Sequence, residues 1–333
     1  MVNNTGQKKM KQWPGRVVFD KEALKPQLSE VGSYKLSLHK LLLQIVIKLL
    51  VSLSLLFSMS AWATEFEQCG QNFYQAKAPD YLEQKMLNDS VSLCFNGFAT
   101  LYSGLSRTPL WSAEHLTRER LYQAENLPRE DSFHSESRLP SAMRAHLSDY
   151  KGSGYDRGHL APNGDMANVN QQYDSFSLAN IIPQTPENNR YLWRNIESVT
   201  RYLTKKHGET YVITGVVFKG KRLTQLNNRV LIPTHVFKAV YIPATGEAGV
   251  YYAPNDDSQR VEIISVDDLA LRSNIDVFPS IPASAKSTAM PLPVKVGDIA
   301  DRDKQTQEPS DEPLWYLILI EILRWLVDNF LTK

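Results

Sequence analysis

Tyr155–Met166 reads YDRGHLAPNGDM, an acid, a guanidinium and an imidazole set around one glycine and followed by Pro, Asn and Gly. Gly158 allows close backbone approach, and Pro162 with Asn163-Gly164 imposes a turn. Asp156, Arg157 and His159 are thereby held at the end of a short irregular strand. Loops on a rigid sheet commonly carry reactive groups. By composition alone the stretch reads better as a polar turn with an Asp–Arg surface ion pair, so the rest of the chain decides its meaning.

The neighbours of this stretch are strands. SVSLCF and FATLYS flank Asn96-Gly97, a strong short-range hairpin signal. TYVITGVVF (Thr210 to Phe218), VLIPTHVFKAVYI (Val230 to Ile242) and GVYYA (Gly249 to Ala253) are further strand candidates, with Thr245-Gly246 as a turn. Between them, Asn189 to Lys206 carries Leu192, Ile196, Val199 and Leu203 at spacings that form one helical stripe. Ser265-Val266-Asp267-Asp268 has the form of a capping box with Asp for Glu. Strands grouped with helices, without strict alternation, predict an α+β fold: a central, largely antiparallel sheet flanked by helices.

The formal charge of +1 over 333 residues hides an asymmetry. Residues 1–63 hold nine Lys/Arg and three Asp/Glu, leaving 28 bases against 33 acids afterwards. Global basicity therefore cannot hold a polyanionic partner. Lys35, Lys40 and Lys48 precede LLVSLSLLFSM, and Ala61-Trp62-Ala63 supplies a small-residue cleavage site, so 1–63 is read as a basic leader with a signal peptide. A membrane anchor is the weaker reading of the apolar run. The leader is long for a signal, which predicts a start later than Met1. Export to the periplasm or the medium follows, and there Cys69 and Cys94 are expected to form a disulfide.

One domain is expected over 64–290. A Pro-, Ser- and charge-rich linker follows over 291–313, and an apolar helix over 314–333, in which Glu321, Arg324 and Asp328 share one face. That helix is expected to meet the domain, a protein partner or a membrane surface, and a second copy of the chain is among the partners considered. Gly104-Leu105-Ser106-Arg107-Thr108 lacks the second glycine of a nucleophile elbow, and Gly220-Lys221-Arg222 lacks the Ser/Thr of a P-loop. His115, His134, His146 and His235 have no evident ligand partners and are read as structural or surface residues.

YDRGHLAPNGDM, followed by SLANIIPQTPENNRYLWRNIE, resembles the DNA/RNA non-specific endonucleases of the ββα-metal class. Asn180-Ile181-Ile182-Pro183-Gln184 fills the family's middle element, Asn189 lies thirty residues past His159, and Glu197 lies eight further on. The resemblance runs from Cys69 to about Pro293. It implies a Mg²⁺-dependent hydrolase of DNA and RNA leaving 5′-phosphate and 3′-hydroxyl ends, with Mn²⁺ as the alternative metal. It further implies His159 as general base, Asn189 as the direct metal ligand, Glu197 as holder of metal-bound water, Arg157 and Arg201 as phosphate contacts, and Asn180 as support.

The chemistry agrees. A histidine near neutral pKa can take a proton from water. Magnesium keeps most of its waters and needs few protein oxygens. Asn189 and Glu197 stand about 12 Å apart along an ideal helix, which favours contact through water unless the helix bends. Arg201, four residues after Glu197, also reads as an ordinary helix-surface ion pair. Lys205, Lys206, Lys219, Lys221, Arg222 and Arg229 are candidates for a local basic rim. The competing reading is an exported nucleic-acid-binding protein with a silent nuclease fold.

Overall fold

A computed structural model describes residues 66–298, together with residues 43–45 and Lys48. The chain divides into Met1–Thr64 and Glu65–Lys333. The cleavage site and the helix at 314–333 lie outside the described residues, among which no helix is long and apolar enough to cross a membrane.

The body is organised on a seven-stranded antiparallel sheet. Its strands are β1 (Ser90–Cys94), β2 (Ala99–Ser103), β3 (Thr108–Thr117), β6 (Glu209–Val217), β7 (His235–Ile242), β8 (Glu247–Pro254) and β9 (Glu262–Ile264), in the spatial order β9-β8-β7-β6-β3-β2-β1. The hairpin expected around Asn96-Gly97 is present, with Cys94 opposite Ala99. Neither Asn96 nor Gly97 has a positive φ. The loop is closed by Phe95 N–H donating to Phe98 O at 2.9 Å and by stacking of the two rings at 4.4 Å. Gly246, at φ +70°, makes the expected turn between β7 and β8.

Alternation sends successive side chains to opposite faces. On β7, Phe237, Ala239 and Tyr241 enter one core with Trp111, Val250 and Tyr252, where helix α4 (Val266–Ser273) contributes Val266 and Leu269. Val236, Val240 and Ile242 enter the other core with Tyr251 and Ala253. Helix α3 (Arg194–His207), which follows the shorter helices α1 (Arg118–Glu125) and α2 (Val169–Ser175) in the chain, covers this second face, and the predicted stripe Leu192, Ile196, Val199 and Leu203 is buried there. Each such aliphatic side chain contributes about 1.5–3 kcal/mol when removed from water. Gly208, at φ +100°, ends α3. Ser265 and Asp268 form the expected capping box at the start of α4.

Two boundaries differ from the sequence reading. The run Val230–Ile242 is broken at Pro233 and resumes at His235. The packed body continues past residue 290: Met290 and Leu292 are buried in the second core, and Tyr251 Oη donates to Pro293 O at 2.6 Å. A linker starting at 291 is therefore placed too early.

Strand β3 had no counterpart in the sequence reading, although it lies near the centre of the sheet. Pro109 cannot donate to a ladder, and it sits where the pairing with β2 shifts register. Cys69 and Cys94 are disulfide-bonded with Cα atoms 5.7 Å apart, tying the N-terminal segment to the end of β1.

Candidate active site

Asp156–His159 forms strand β4, which pairs only with β5 (Ile181–Gln184) in a small antiparallel hairpin apart from the main sheet. A π-helical turn, Asn188–Trp193, follows β5 and runs directly into α3. The sequence thus builds strand, strand and helix in succession. Gly158 is required by close approach, not by an unusual φ. A Cβ there would land on Gln184 Oε1 and lie 2.9 Å from Gln184 Cβ.

Asn180 is fully buried and uses its whole amide. Its Oδ1 accepts from Ser112 Oγ and Ala161 N–H, each at 2.9 Å, while Nδ2 donates to Ala161 O at 2.8 Å and Ser175 O at 3.0 Å. It clamps the chain just after His159 to β3, as a support and not as a reacting group. Ser112 belongs to a buried polar row across four neighbouring strands. Thr100, Ser112, Thr214 and Lys238 stand in register, with Thr100–Ser112 at 2.8 Å and Lys238 Nζ donating to Thr214 Oγ1 at 2.5 Å. This row floors the site.

The His159 ring is set between Phe133, 5.5 Å away in a tilted contact, and Phe176, 5.1 Å away and edge-on. Its Nε2 is buried without a hydrogen-bond partner among the described residues. Burial, reinforced by the Arg129 and Arg157 charges and opposed by Asp131, pushes the imidazole down to about 3. The ring is therefore neutral at physiological pH and able to accept a proton. Arg157 lies 4.0 Å over the Phe133 ring, exposed and in no ion pair, with its guanidinium free of hydrogen bonds to the described residues. Arg129 sits similarly over Phe176, at 5.4 Å.

Asn189 is oriented by Asp156. Its Nδ2 donates to Asp156 Oδ2 at 3.0 Å, and Arg190 grips the same carboxylate through Nε at 2.8 Å and Nη2 at 2.7 Å. Burial pushes the Asp156 carboxyl up, but the Arg190 and Asn189 hydrogen bonds and the Arg190 charge outweigh it and hold the group below its ordinary value. Because a carboxylate only accepts hydrogen bonds, the nitrogen of the Asn189 amide must face it. Oδ1 is left without a hydrogen bond among the described residues.

Glu197, on α3, forms no hydrogen bond or ion pair with the described residues. Burial pushes it up to about 7, against the opposing pull of Arg201 and Lys238. Arg201 does not pair with Glu197, as helix spacing suggested. Its Nη1 donates instead to the buried Asp165 at 2.9 Å. Nearby Glu114, buried on β3 and 3.2 Å from Arg120 Nη2, is also raised by burial and by Asp165. The sequence reading missed Phe133, Phe176, Asp165, Glu114 and Lys238. For the last two a signal existed, since charged residues recur at inward positions of strands that are otherwise apolar.

The basic rim is weakened. Lys205 is paired with Glu125, and Arg229 with Asp149 at 3.1 Å. The other histidines are packed as expected: His115 stacks on Tyr211 at 4.3 Å, His134 on Tyr173 at 4.2 Å and His235 on Tyr252 at 4.9 Å.

No group of three or more His, Cys, Asp or Glu side chains among the described residues gathers around a common point. The sparse oxygen donors of Asn189 and Glu197 suit a different kind of ion. One neutral amide oxygen, freed by Asp156, and one carboxylate with no protein partner match a cation that keeps most of its water, as Mg²⁺ does. The residues present fit such a cation.

The family profile described as DNA/RNA non-specific endonuclease matches residues 79–284. Human mitochondrial endonuclease G is 32% identical over 230 residues, covering 62% of this chain and 73% of that protein. A nuclease of Nostoc sp. is 32% identical over 224 residues, covering 61% and 80%. Nuclease C1 of Cunninghamella echinulata is 36% identical over 169 residues, covering 46% and 67%. Among solved structures, the EndoG/EndoGI complex matches with a TM-score of 0.54 at 24% identity, covering 58% of this chain and 88% of the other. That last likeness shows the shared fold.

Proposed function

Since this chain belongs to the DNA/RNA non-specific endonuclease family, we propose that it hydrolyses phosphodiesters with His159 as general base and a divalent cation, Mg²⁺ or alternatively Mn²⁺, held by Asn189. Nucleic-acid hydrolysis comes with the family. The observation that carries the proposal is the Asn189 amide, whose nitrogen is committed to Asp156 and whose oxygen has no hydrogen bond among the described residues.

His159 enters the reaction neutral. A phosphate anion beside it offsets the Arg129 and Arg157 charges, so the imidazole becomes a better proton acceptor once substrate is bound. Phe133 and Phe176 fix its ring plane. Arg157 presents a planar fork of donors to phosphate oxygens. Arg201 shares its guanidinium with Asp165, so it contributes its remaining donors and is held rigid while doing so. The cation, when bound, supplies positive charge beside the phosphoryl oxygens and the leaving 3′ oxygen. Glu197, once ionised, would accept hydrogen bonds from water held by that cation.

Export is the accompanying proposal, supported by the leader and by the Cys69–Cys94 bond. Fractionation of cells expressing the full chain tests it, and retention in the cytosol would remove it.

Incubating the purified protein with plasmid DNA, single-stranded DNA and RNA plus Mg²⁺ tests the activity. Degradation of all three is expected, silenced by EDTA and reduced at least 10²-fold by His159→Ala. Equal activity of parent and His159→Ala would remove the imidazole from its role, and cutting in EDTA would remove the cation.

A further inference from the structure

A groove of about 390 Å³ adjoins β4, lined by Leu147, Tyr150, Lys151, Tyr155, Asp156 and Arg157. We propose that this groove is a flanking subsite of the nucleic-acid strand, in which Lys151 receives the phosphate next to the scissile one, Tyr155 and Leu147 support its nucleoside, and Arg157 stands at the border with the scissile phosphate. The inference rests on the phosphodiesterase reading above and deepens it.

Three observations converge on it. The first is direction. Arg157 and His159 alternate along β4 and share a face, so same-face neighbours recur at roughly 6.6 Å, and Tyr155 immediately precedes the strand. Phe133 confirms the sharing, since it touches both the Arg157 guanidinium and the His159 ring. A strand of nucleic acid whose phosphate reaches His159 must continue somewhere, and this face leads into the groove.

The second is charge. Lys151 is exposed and has no ion pair or hydrogen bond of its side chain with the described residues, and the same holds for Arg157. The one carboxylate lining the groove, Asp156, is already gripped by Arg190 and Asn189. Asp149, adjacent in sequence to Tyr150, is buried and paired with Arg229. The groove therefore presents two uncommitted cations and a neutralised acid, in a mature chain that is otherwise net acidic.

The third is the shape of the rim. Gly152 and Gly154 adopt φ +70° and +80° with open space around them. Ser153 N–H donates to Tyr150 O at 3.2 Å, and Tyr155 N–H donates to Ser153 Oγ at 3.2 Å. The loop is thereby held as a defined turn that carries Lys151 at the mouth of the groove. Leu147, large, apolar and 43% exposed, lies across from it without cover.

Fluorescence anisotropy of a labelled 12-nucleotide single strand tests the subsite. It is measured in EDTA across a KCl series with the full chain and with Lys151→Gln, Lys151→Arg and Lys151→Glu. Loss of one phosphate contact lowers the slope of log K against log[salt] by about 0.7. Lys151→Gln is expected to show that loss, Lys151→Arg to restore the slope, and Lys151→Glu to weaken binding about tenfold at low salt. A slope unchanged in Lys151→Gln overturns the subsite. Plasmid cleavage by the same parent preparation separates the two readings. Cleavage with an unchanged slope removes the groove alone, whereas neither cleavage nor binding by the parent removes both.

Discussion

Asn189 Nδ2 lies 3.0 Å from Asp156 Oδ2, so the first residue of the DRGH strand sets the orientation of an amide thirty-three residues later in the chain. Asp156→Asn takes away an acceptor that demands a donor, and it also releases Arg190. Apparent affinity for the activating cation is expected to weaken about 10–100-fold, as for other outer supports of metal ligands. Titrating cleavage with Mg²⁺, and Mn²⁺ binding by paramagnetic resonance, check this. An unchanged midpoint for both ions would show that Asp156 does not orient Asn189.

Glu197 titrates near 7 in the folded chain, above its ordinary 4.5. A raised acid binds extra protons when folded, so its contribution to stability is full below about pH 4.5 and is lost as pH rises through 7. Glu197→Gln is accordingly expected to raise Tm at pH 8, by on the order of 5 °C, with little change at pH 4. It should lower cleavage at both pH 7 and pH 8. Thermal melts at the two pH values decide the first point, and a fall in Tm at pH 8 would contradict it.

His159 shifts the other way. Its folded pKa, near 3, lies below the ordinary 6.5, so the unfolded chain takes up a proton that the folded one refuses. Stability is therefore fully present above pH 6.5 and falls as pH drops from there toward 3. His159→Asn should flatten part of that acid limb in urea titrations run from pH 7 to pH 4. Parallel curves for the two proteins would count against a neutral buried ring.

Asn180 makes four hydrogen bonds at zero exposure. Asn180→Ala leaves several of their partners unsatisfied in the core and is expected to cost about 2–4 kcal/mol. Urea denaturation measures it. A loss below about 0.5 kcal/mol would mean that the clamp is dispensable.

The Cys69–Cys94 bond closes a sequence separation of 25 residues. Reduction is expected to cost about 3 kcal/mol through the loop freed in the unfolded chain. Melts with and without dithiothreitol, with thiol titration confirming reduction, provide the check, and identical melts would argue that the bond adds nothing.

Periodic features could be read in advance. The stripe from Leu192 to Leu203, the capping box at Ser265 and the hairpin around Asn96-Gly97 are local, and each rule that finds them spans a few residues. His159, Asn180, Asn189 and Glu197 could be named as candidates in advance because they stand in a family register. What escaped depends on distance. Phe133 reaches His159 only once β4 and the segment before it are folded together, and Asp165 captures Arg201 across thirty-six residues. Strand β3 escaped for a local reason, because Pro109, Ser112 and Glu114 disguise a buried central strand as a polar segment.

The π-helical turn at Asn188–Trp193 has a rotational consequence. Eight steps of an ideal α-helix overshoot two full revolutions by about 80°, which would swing Asn189 out of line with Glu197. A wider turn closed by i→i+5 bonds subtracts angle per step and recovers part of that overshoot. The extra girth thus acts as a phase corrector, letting one end of the rod keep Ile196 and Val199 against the sheet while the other aims its amide. Deleting a single residue between Asn189 and Trp193 would rotate Asn189 by about 100° and leave the apolar seam from Ile196 to Leu203 undisturbed.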